Sequence, residues 1–152
     1  MSYAAKEDVK ALFRHFADNA DAAVTDTEIE TFLSSDTAYI DSRLSGLYVL
    51  PILAIDSPES FKILKQINAF RVAAIVDDIL NNYTNDQKKP SWLRMANDML
   101  NMIAPERDKK GKQNEPNSKL VDAVYLGTNV QQGKFKLSST DTTTFKKGTD
   151  TW

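Results

Sequence analysis

The side chains of this chain that could do chemistry are few and scattered. His15 is the only histidine, and the 152 residues contain no cysteine. The sequence therefore offers no His or Cys partner for a metal site and no thiolate. Asp77 and Asp78 are adjacent on a predicted helix, where neighbouring side chains diverge, so these carboxylates do not converge as a catalytic dyad would. We interpret His15 as a surface or boundary residue and the two aspartates as solvated or helix-pairing.

The remaining acidic residues also lack the spacing of a functional site. Those around the start of the second predicted helix indicate a solvated helix start: Asp21, Asp26, Glu28 and Glu30. The sequence contains no glycine-rich phosphate loop, no nucleophile elbow and no metal-ligand spacing. We therefore predict no catalytic residue, no bound metal and no cofactor, and we expect that the protein is not an enzyme.

The hydrophobic pattern predicts an all-α fold with a four-helix body. In the first helix one apolar stripe has helical spacing (Val9, Leu12, Phe13 and Phe16), with Ser2 as a candidate N-cap. Thr25 and Glu28 form a capping-box pattern at the start of the second helix. That helix carries its apolar face on Ile29, Phe32, Leu33, Ile40, Leu44 and Leu47. Gly46 marks where it can end.

Two further helices follow an apolar segment that contains Pro51. Ser57-Pro58-Glu59 is a start signal, with Ser57 as the cap and proline at the first helical position. The third helix should run to about Tyr83. It is apolar nearly all round from Ile67 to Leu80, so we predict that it is enclosed at the centre of the fold, with Ile75 inside. Ser91 should cap a fourth helix, whose apolar face is Trp92, Met95, Ala96, Met99 and Ile103.

Two charged residues interrupt the apolar faces of the second and third helices. Asp36 lies one turn before Ile40, and Arg71 lies within the apolar belt of the third helix. A half-buried charge is tolerated mainly when it is paired. The sequence therefore suggests an Asp36–Arg71 salt bridge between these helices. The alternative is that both side chains point to solvent or to a neighbouring subunit.

The composition changes after Pro105. Up to Ile103 the chain has 10 Lys and Arg against 15 Asp and Glu, a net charge of −5, and from Ala104 it has 9 against 6, a net charge of +3. We divide the chain into a helical body, residues 1–104, and an extended C-terminal arm, residues 105–152. Strand-like segments at 120–126 and 134–138, with Gly127 and Gly133 between them, indicate a short β-hairpin. No signal peptide or membrane-spanning run is visible.

The helical part of the sequence resembles a family of tailed-phage head–tail connector proteins, also called adaptor or head-completion proteins. Their pattern is an Ile-Asp-x-x-Leu helix end, a small linker residue and a Tyr-x-Leu-Pro-Leu step. The matching residues here are Ile40, Asp41, Leu44, Gly46, Tyr48, Leu50 and Pro51. The resemblance runs from Tyr3 to about Ala104 and does not extend into the Lys-rich segment after Pro105. It assigns structural roles to Ile40, Asp41, Leu44, Tyr48 and Pro51.

The resemblance implies a structural virion protein at the head–tail interface, assembled in the host cytoplasm. Such proteins form rings, commonly dodecameric, beneath the portal, and they offer a docking platform to the next neck or tail protein. DNA passes through the lumen without specific binding, so we expect an acidic or neutral channel face, supplied by the start of the second helix or by the side of Asp77 and Asp78.

We expect the arm to bind the portal or a neighbouring subunit, and to be ordered only in the complex. Its candidate contact residues are Lys134, Phe135, Lys136, Leu137, Phe145 and Trp152. The alternative is that the arm folds back on its own body. A different class of function also stays open: a small helical DNA-binding or regulatory module with a basic tail.

Overall fold

The computed structural model describes residues 2–13, 23–81 and 91–127. These residues form four helices: α1 (Lys6–Lys10), α2 (Asp26–Leu44), α3 (Pro58–Asn81) and α4 (Trp92–Ile103). No strand occurs among them; two isolated β-bridges, Ser45 with Tyr48 and Tyr48 with Tyr125, are the only extended pairing that they contain. The prediction of a helical body with four helices is confirmed. Within the described ranges, no helix is long and apolar enough to cross a membrane.

Helix α3 is the centre of the body, as predicted, because it contacts α1, α2 and α4. Its buried residues contribute to two apolar clusters. One cluster gathers Leu64 and Ile67 with the end of α2 and the inner face of α4. The other gathers Val72, Ala73 and Val76 with Val9 of α1 and Ile29 of α2.

The prediction that Ile75 lies inside the apolar enclosure of α3 is wrong. Ile75 is 40% exposed, and Ile79 and Leu80 are 44% and 40% exposed. Val72 and Val76, which lie one turn apart on the same face, are both 0% exposed. The partners of α3 therefore bury the row that contains Val72 and Val76 and leave the neighbouring row of Ile75 and Ile79 partly exposed. Leu80, one turn beyond Val76, is exposed near the end of the helix.

Helix α2 begins and ends as the sequence predicts. The Thr25 hydroxyl accepts a hydrogen bond from the Glu28 backbone N–H, and the Glu28 carboxylate accepts one from the Thr25 backbone N–H at 2.7 Å. The bond from the Thr25 backbone N–H is the largest cause of the lowered pKa of Glu28. Beyond Leu44 the chain turns at Gly46, whose φ of 87° is a conformation that favours glycine.

Helix α1 begins later than expected. Its N-cap is Ala5, not Ser2, and the Asp8 carboxylate accepts a hydrogen bond from the Ala5 backbone N–H at 2.9 Å. Asp8 therefore supplies the reciprocal contact of a capping box, while the Asp8 backbone N–H donates to Ala5 O at 3.1 Å. Leu12 and Phe13 follow the helix and pack against the second cluster, whereas Phe16 lies outside the described residues.

Helix α4 buries a slightly different face from the predicted one. Ala96, Leu100 and Ile103 are buried, whereas Met95 is 42% exposed. The buried positions repeat at i, i+4 and i+7, which places Met95 beside the stripe. Ser91 occupies the N-cap position, but its hydroxyl donates to Met95 Sδ at 3.4 Å and makes no side-chain capping bond.

The first part of the predicted arm lies against the helical body. Leu120 is 3% exposed and belongs to the core cluster that contains Tyr48, Leu64 and Ile103. The Ser118 backbone N–H donates to Met102 O at 3.0 Å. Residues 118–127 thus form a strap across the body, and the part of the predicted hairpin after Gly127 lies outside the described residues.

Candidate functional site

The two groups of predicted site residues have different outcomes. His15 lies outside the described residues. So do the candidate contact residues of the arm, which are Lys134, Phe135, Lys136, Leu137, Phe145 and Trp152. The residues assigned structural roles all lie within the described ranges. They lie in the second half of α2 and in the segment that follows it.

The salt bridge between α2 and α3 is confirmed. Arg71 Nε donates to Asp36 Oδ1 at 2.6 Å, and the two side chains are 16% and 5% exposed. Arg71 Nη1 also donates to Asn97 Oδ1 of α4, and the guanidinium carbon lies 4.4 Å from the centre of the Tyr39 ring. Because both charges have further polar partners, the pair is tolerated in a largely apolar interior.

Asn68 extends this polar cluster to the N-terminal segment. Its amide nitrogen donates to Asp36 Oδ2 at 3.0 Å and to Leu33 O at 3.3 Å, and its amide oxygen accepts from the Ala4 backbone N–H at 3.1 Å. The Tyr3 backbone N–H donates to Thr37 Oγ1 at 3.3 Å. The residues before α1 are therefore held in a fixed position against α2 and α3.

Asp41 has a defined partner in the same segment. The Tyr3 hydroxyl donates a hydrogen bond to Asp41 Oδ1. Burial is the largest cause that raises the pKa of Tyr3, and the hydrogen bond to Asp41 and its negative charge raise it further. Tyr3 therefore stays neutral and serves as a donor to the end of α2.

Tyr48 joins three elements. Its hydroxyl donates to Ile103 O at 3.2 Å, at the end of α4, and accepts from the Leu120 backbone N–H at 3.3 Å. Its ring meets the ring of Tyr125 edge-on at 5.5 Å between centroids. Ile40 and Leu44 are 0% exposed beside it, whereas Pro51 is exposed and follows a cis peptide bond.

The strap, residues 118–127, caps the N-terminus of α3. The Asp122 carboxylate accepts hydrogen bonds from the Glu59 and Ser60 backbone N–H groups, at 2.8 and 2.9 Å, and from the Ser60 hydroxyl. These bonds lower the pKa of Asp122, and the bond from the Ser60 hydroxyl is the largest cause. Ser57 occupies the predicted cap position directly before α3, and its C=O accepts the Phe61 N–H at 2.9 Å. Its hydroxyl, however, donates to Asp122 O at 3.0 Å, and the helix N–H groups bond to Asp122 instead.

An exposed apolar surface lies beside this cap. Val49, Ile55, Val121, Val124 and Leu126 are 48%, 87%, 85%, 63% and 42% exposed; we call these five residues the strap surface. The Val49 backbone N–H donates to Val124 O at 3.0 Å, and the Leu126 N–H donates to Leu47 O at 2.7 Å. Residues 47–49 and 124–126 are therefore paired side by side, which places Val49 opposite Val124.

The basic residues of α1 and α3 face acidic partners. Lys6 Nζ lies 3.1 Å from both Asp26 and Glu30, and Lys10 Nζ lies 2.6 Å from Asp26. Lys65 Nζ lies 2.9 Å from Asp8. These ammonium groups are paired within the protein, so they do not form a basic face suited to phosphates.

The sequence did not predict the polar residues whose hydrogen-bond partners are far away in the chain. Asp122 and Asn68 carry no local pattern that predicts their partners. Arg43 is similar, because it ties the end of α2 to the end of α4 by donating to Asn101 Oδ1 at 2.8 Å and to Ala104 O at 2.6 Å. The only available signal was that each is a polar residue in or beside an apolar segment.

The described residues form a polar core and an apolar surface, and they contain no group of His, Cys, Asp and Glu side chains that could hold a metal ion. No protein-family model, curated protein or solved structure matches the chain. Its function is therefore argued from its own residues and from the pattern between Ile40 and Pro51.

Proposed function

We propose that this chain is a structural virion protein that forms a ring-shaped head–tail connector under the portal. In this role it extends the DNA channel and offers a docking platform to a neck or tail protein. Its partners are other copies of the chain, commonly twelve in such rings, the portal and the next tail component. The mechanism is assembly, and no step of it requires a catalytic residue or a cofactor.

The observation that carries the proposal is the pattern from Ile40 to Pro51. Ile40, Leu44 and Tyr48 are all buried, and Asp41 accepts the Tyr3 hydroxyl hydrogen bond. The residues that resemble the connector family thus form the junction between α2, the end of α4 and the strap. A mainly structural role for the pattern is what the resemblance implies.

The exposed apolar residues support a role in assembly. One group lies on the outer face of α3 (Ile75 and Ile79), and another is the strap surface. Exposed apolar patches of this kind commonly mark protein–protein contacts. A connector subunit needs two different faces, because a ring is built from head-to-tail contacts.

The charges of the body suit a channel through which DNA slides. The ammonium groups of Lys6, Lys10 and Lys65 are held by carboxylates, so these three are less available to retain DNA through phosphate contacts. Asp77 cannot supply the acidic lumen face, since it is 5% exposed and accepts a hydrogen bond from Asn81 at 2.6 Å. Asp78 is exposed, so its side of α3 and the start of α2 both remain candidates for that face.

Electron microscopy of the full chain mixed with portal particles tests the proposal. We expect rings of the protein on the tail-facing side of the portal. A protein that stays unattached and forms no rings at any concentration would contradict the proposal.

Binding to a random-sequence duplex at several salt concentrations tests the other class of function. Binding whose affinity falls steeply with salt would favour a DNA-binding module with a basic tail.

A further inference from the structure

The loop that follows α4 presents three lysines in a fixed arrangement. Asp108 Oδ1 accepts hydrogen bonds from the Lys110 and Lys112 backbone N–H groups at 2.9 and 2.8 Å. The Gly111 N–H donates to Asp108 O at 2.8 Å, and the φ of Gly111 is 76°, a conformation that favours glycine. Because the backbone is held in this tight turn, the exposed side chains of Lys109, Lys110 and Lys112 share one compact tip. We call residues 108–112 the basic loop.

The base of the basic loop is fixed to the end of α2. Arg43 Nη2 donates to Ala104 O at 2.6 Å, which joins α2 to the start of the segment that leads into the loop. Gln113 Nε2 donates to Pro105 O at 2.9 Å and so closes the base. The basic loop therefore lies at the C-terminal end of α2.

The three lysines have no partner in the described part of the chain. No carboxylate of residues 2–13, 23–81 or 91–127 forms an ion pair with their ammonium groups. Asp108, the acidic residue of the loop, directs its carboxylate to the backbone N–H groups of Lys110 and Lys112. The basic loop thus offers positive charge to an acidic surface.

The opposite end of α2 carries the complementary charge. Glu28 and Glu30 are exposed in the first turns of α2, and Glu7 is exposed on α1. Lys6 joins α1 to this end of α2, since its Nζ lies 3.1 Å from the Glu30 carboxylate. We call Glu7, Glu28 and Glu30 the acidic face. From Glu28 to Arg43 the helix rises about 22 Å at 1.5 Å per residue, so the acidic face and the basic loop lie far apart within one subunit.

We propose that the basic loop of one copy docks on the acidic face of a second copy. Opposite charges at opposite ends of a subunit pair head to tail, and contacts of this kind close into rings. Duplex DNA is a poorer occupant, because the chain up to Ile103 has a net charge of −5 and repels phosphates.

The docking rests on the proposed connector function, because it names a contact between the subunits of the ring. It places the start of α2 between subunits. The side of α3 that carries the exposed Asp78 is then left to face the channel.

Analytical ultracentrifugation of the full-length protein without portal tests the docking. The natural chain should self-associate at about 0.05 M salt, and the association should weaken towards about 0.5 M, where salt screens exposed charges. Lys109→Glu combined with Lys110→Glu should weaken self-association roughly tenfold or more. Lys62→Glu combined with Arg94→Glu is the matched control, because it changes the net charge equally at exposed positions of α3 and α4. Its self-association should stay close to that of the natural chain.

A charge exchange separates a direct contact from a loss of folding. Glu7→Lys combined with Glu30→Lys reverses the acidic face and should also weaken self-association. A mixture of this variant with the loop variant pairs each reversed surface with its complement, so the mixture should associate again. Circular dichroism of each variant checks that its helix content is unchanged.

Three results would overturn the docking. The first is a natural chain that stays monomeric at low salt, and the second is an equal loss of self-association in the loop variant and its matched control. The third is a loop variant that loses binding to a duplex but keeps self-association, which would assign the basic loop to DNA.

Attachment to portal particles is measured separately and distinguishes the two proposals. Rings of the loop variant on the portal would overturn the docking and leave the connector function standing. Self-association that follows the charge exchange without any attachment to the portal would support the docking and contradict the connector function.

Discussion

Asp36 and Arg71 form the most deeply buried ion pair in the described part of the chain. Asp36→Ala would leave the Arg71 guanidinium largely buried, with Asn97 and the Tyr39 ring as its remaining partners among the described residues. We expect the free energy of unfolding to fall by about 2–4 kcal/mol, because the cost of an uncompensated buried charge is large. Urea unfolding at neutral pH measures it. Glu59→Gln, which breaks the exposed pair with Lys62, should change the stability by less than about 0.5 kcal/mol; equal effects would contradict the assignment.

Asp122 should make stability depend on pH in the acid range. Its pKa is lowered from the ordinary value of 3.8 by the hydrogen bonds at the start of α3. A lowered folded-state pKa stabilises the protein above the unfolded-state value, and this contribution is lost as the pH falls through the folded-state value. Asp122→Asn should therefore be less stable than the natural chain at pH 6, and the difference should shrink below pH of about 4. Thermal unfolding at a series of pH values measures this; a constant difference would contradict it.

At the scale of the element, α3 carries adjacent apolar residues that differ in burial, and the sequence alone does not show which of them is buried. Val76→Asp would place a carboxylate at a fully buried position and should cost several kcal/mol, enough to unfold the chain. Ile75→Asp changes the adjacent, 40% exposed position, and should cost about 1 kcal/mol or less. Circular dichroism of the two variants at increasing temperature compares them. If Ile75→Asp also unfolds the protein, a further element must cover the outer face of α3.

The strap should contribute to the stability of the body through Leu120. This side chain is 3% exposed within the cluster around Tyr48, whereas the adjacent Val121 is 85% exposed. Leu120→Ala should therefore lower the free energy of unfolding by about 2–4 kcal/mol. Val121→Ala is the matched control and should change it by less than about 0.5 kcal/mol. Equal losses in urea unfolding would mean that the strap does not share the core.

The sequence predicted features that depend on neighbouring residues better than features that depend on residues distant in the chain. Helix starts and stops are local, so the Thr25–Glu28 capping box and the stop at Gly46 were predictable from neighbouring residues. The Asp36–Arg71 pair was also accessible, because each charge interrupted an apolar face. The cap of α3 was not, since its carboxylate comes from Asp122, far along the chain. The exposed face of α3 was missed for a similar reason: apolar residues show what can be buried, not what covers it.

At the scale of the whole molecule, the boundary between body and arm decides how the connector proposal is tested. A truncation after Ala104 would also remove Leu120 and Asp122, and with them part of the core and the cap of α3. Loss of portal attachment in such a chain would not separate docking from folding. Gly127, where the described strap ends, is the better boundary.

A chain that ends after Gly127 should keep its helices and core but lose attachment to portal particles. The physical reason is that the candidate contact residues of the arm include Phe145 and Trp152, large aromatic side chains that gain much of their binding energy when buried in a partner. Co-sedimentation with portal particles measures attachment, and circular dichroism checks that helix content is retained. The full-length double variant Phe145→Ala with Trp152→Ala is the matched control for chain length and should lose attachment to a similar extent. If the truncated chain attaches as well as the full chain, the docking residues lie in the helical body, and the outer face of α3, with Ile75 and Ile79 exposed, becomes the surface to mutate next.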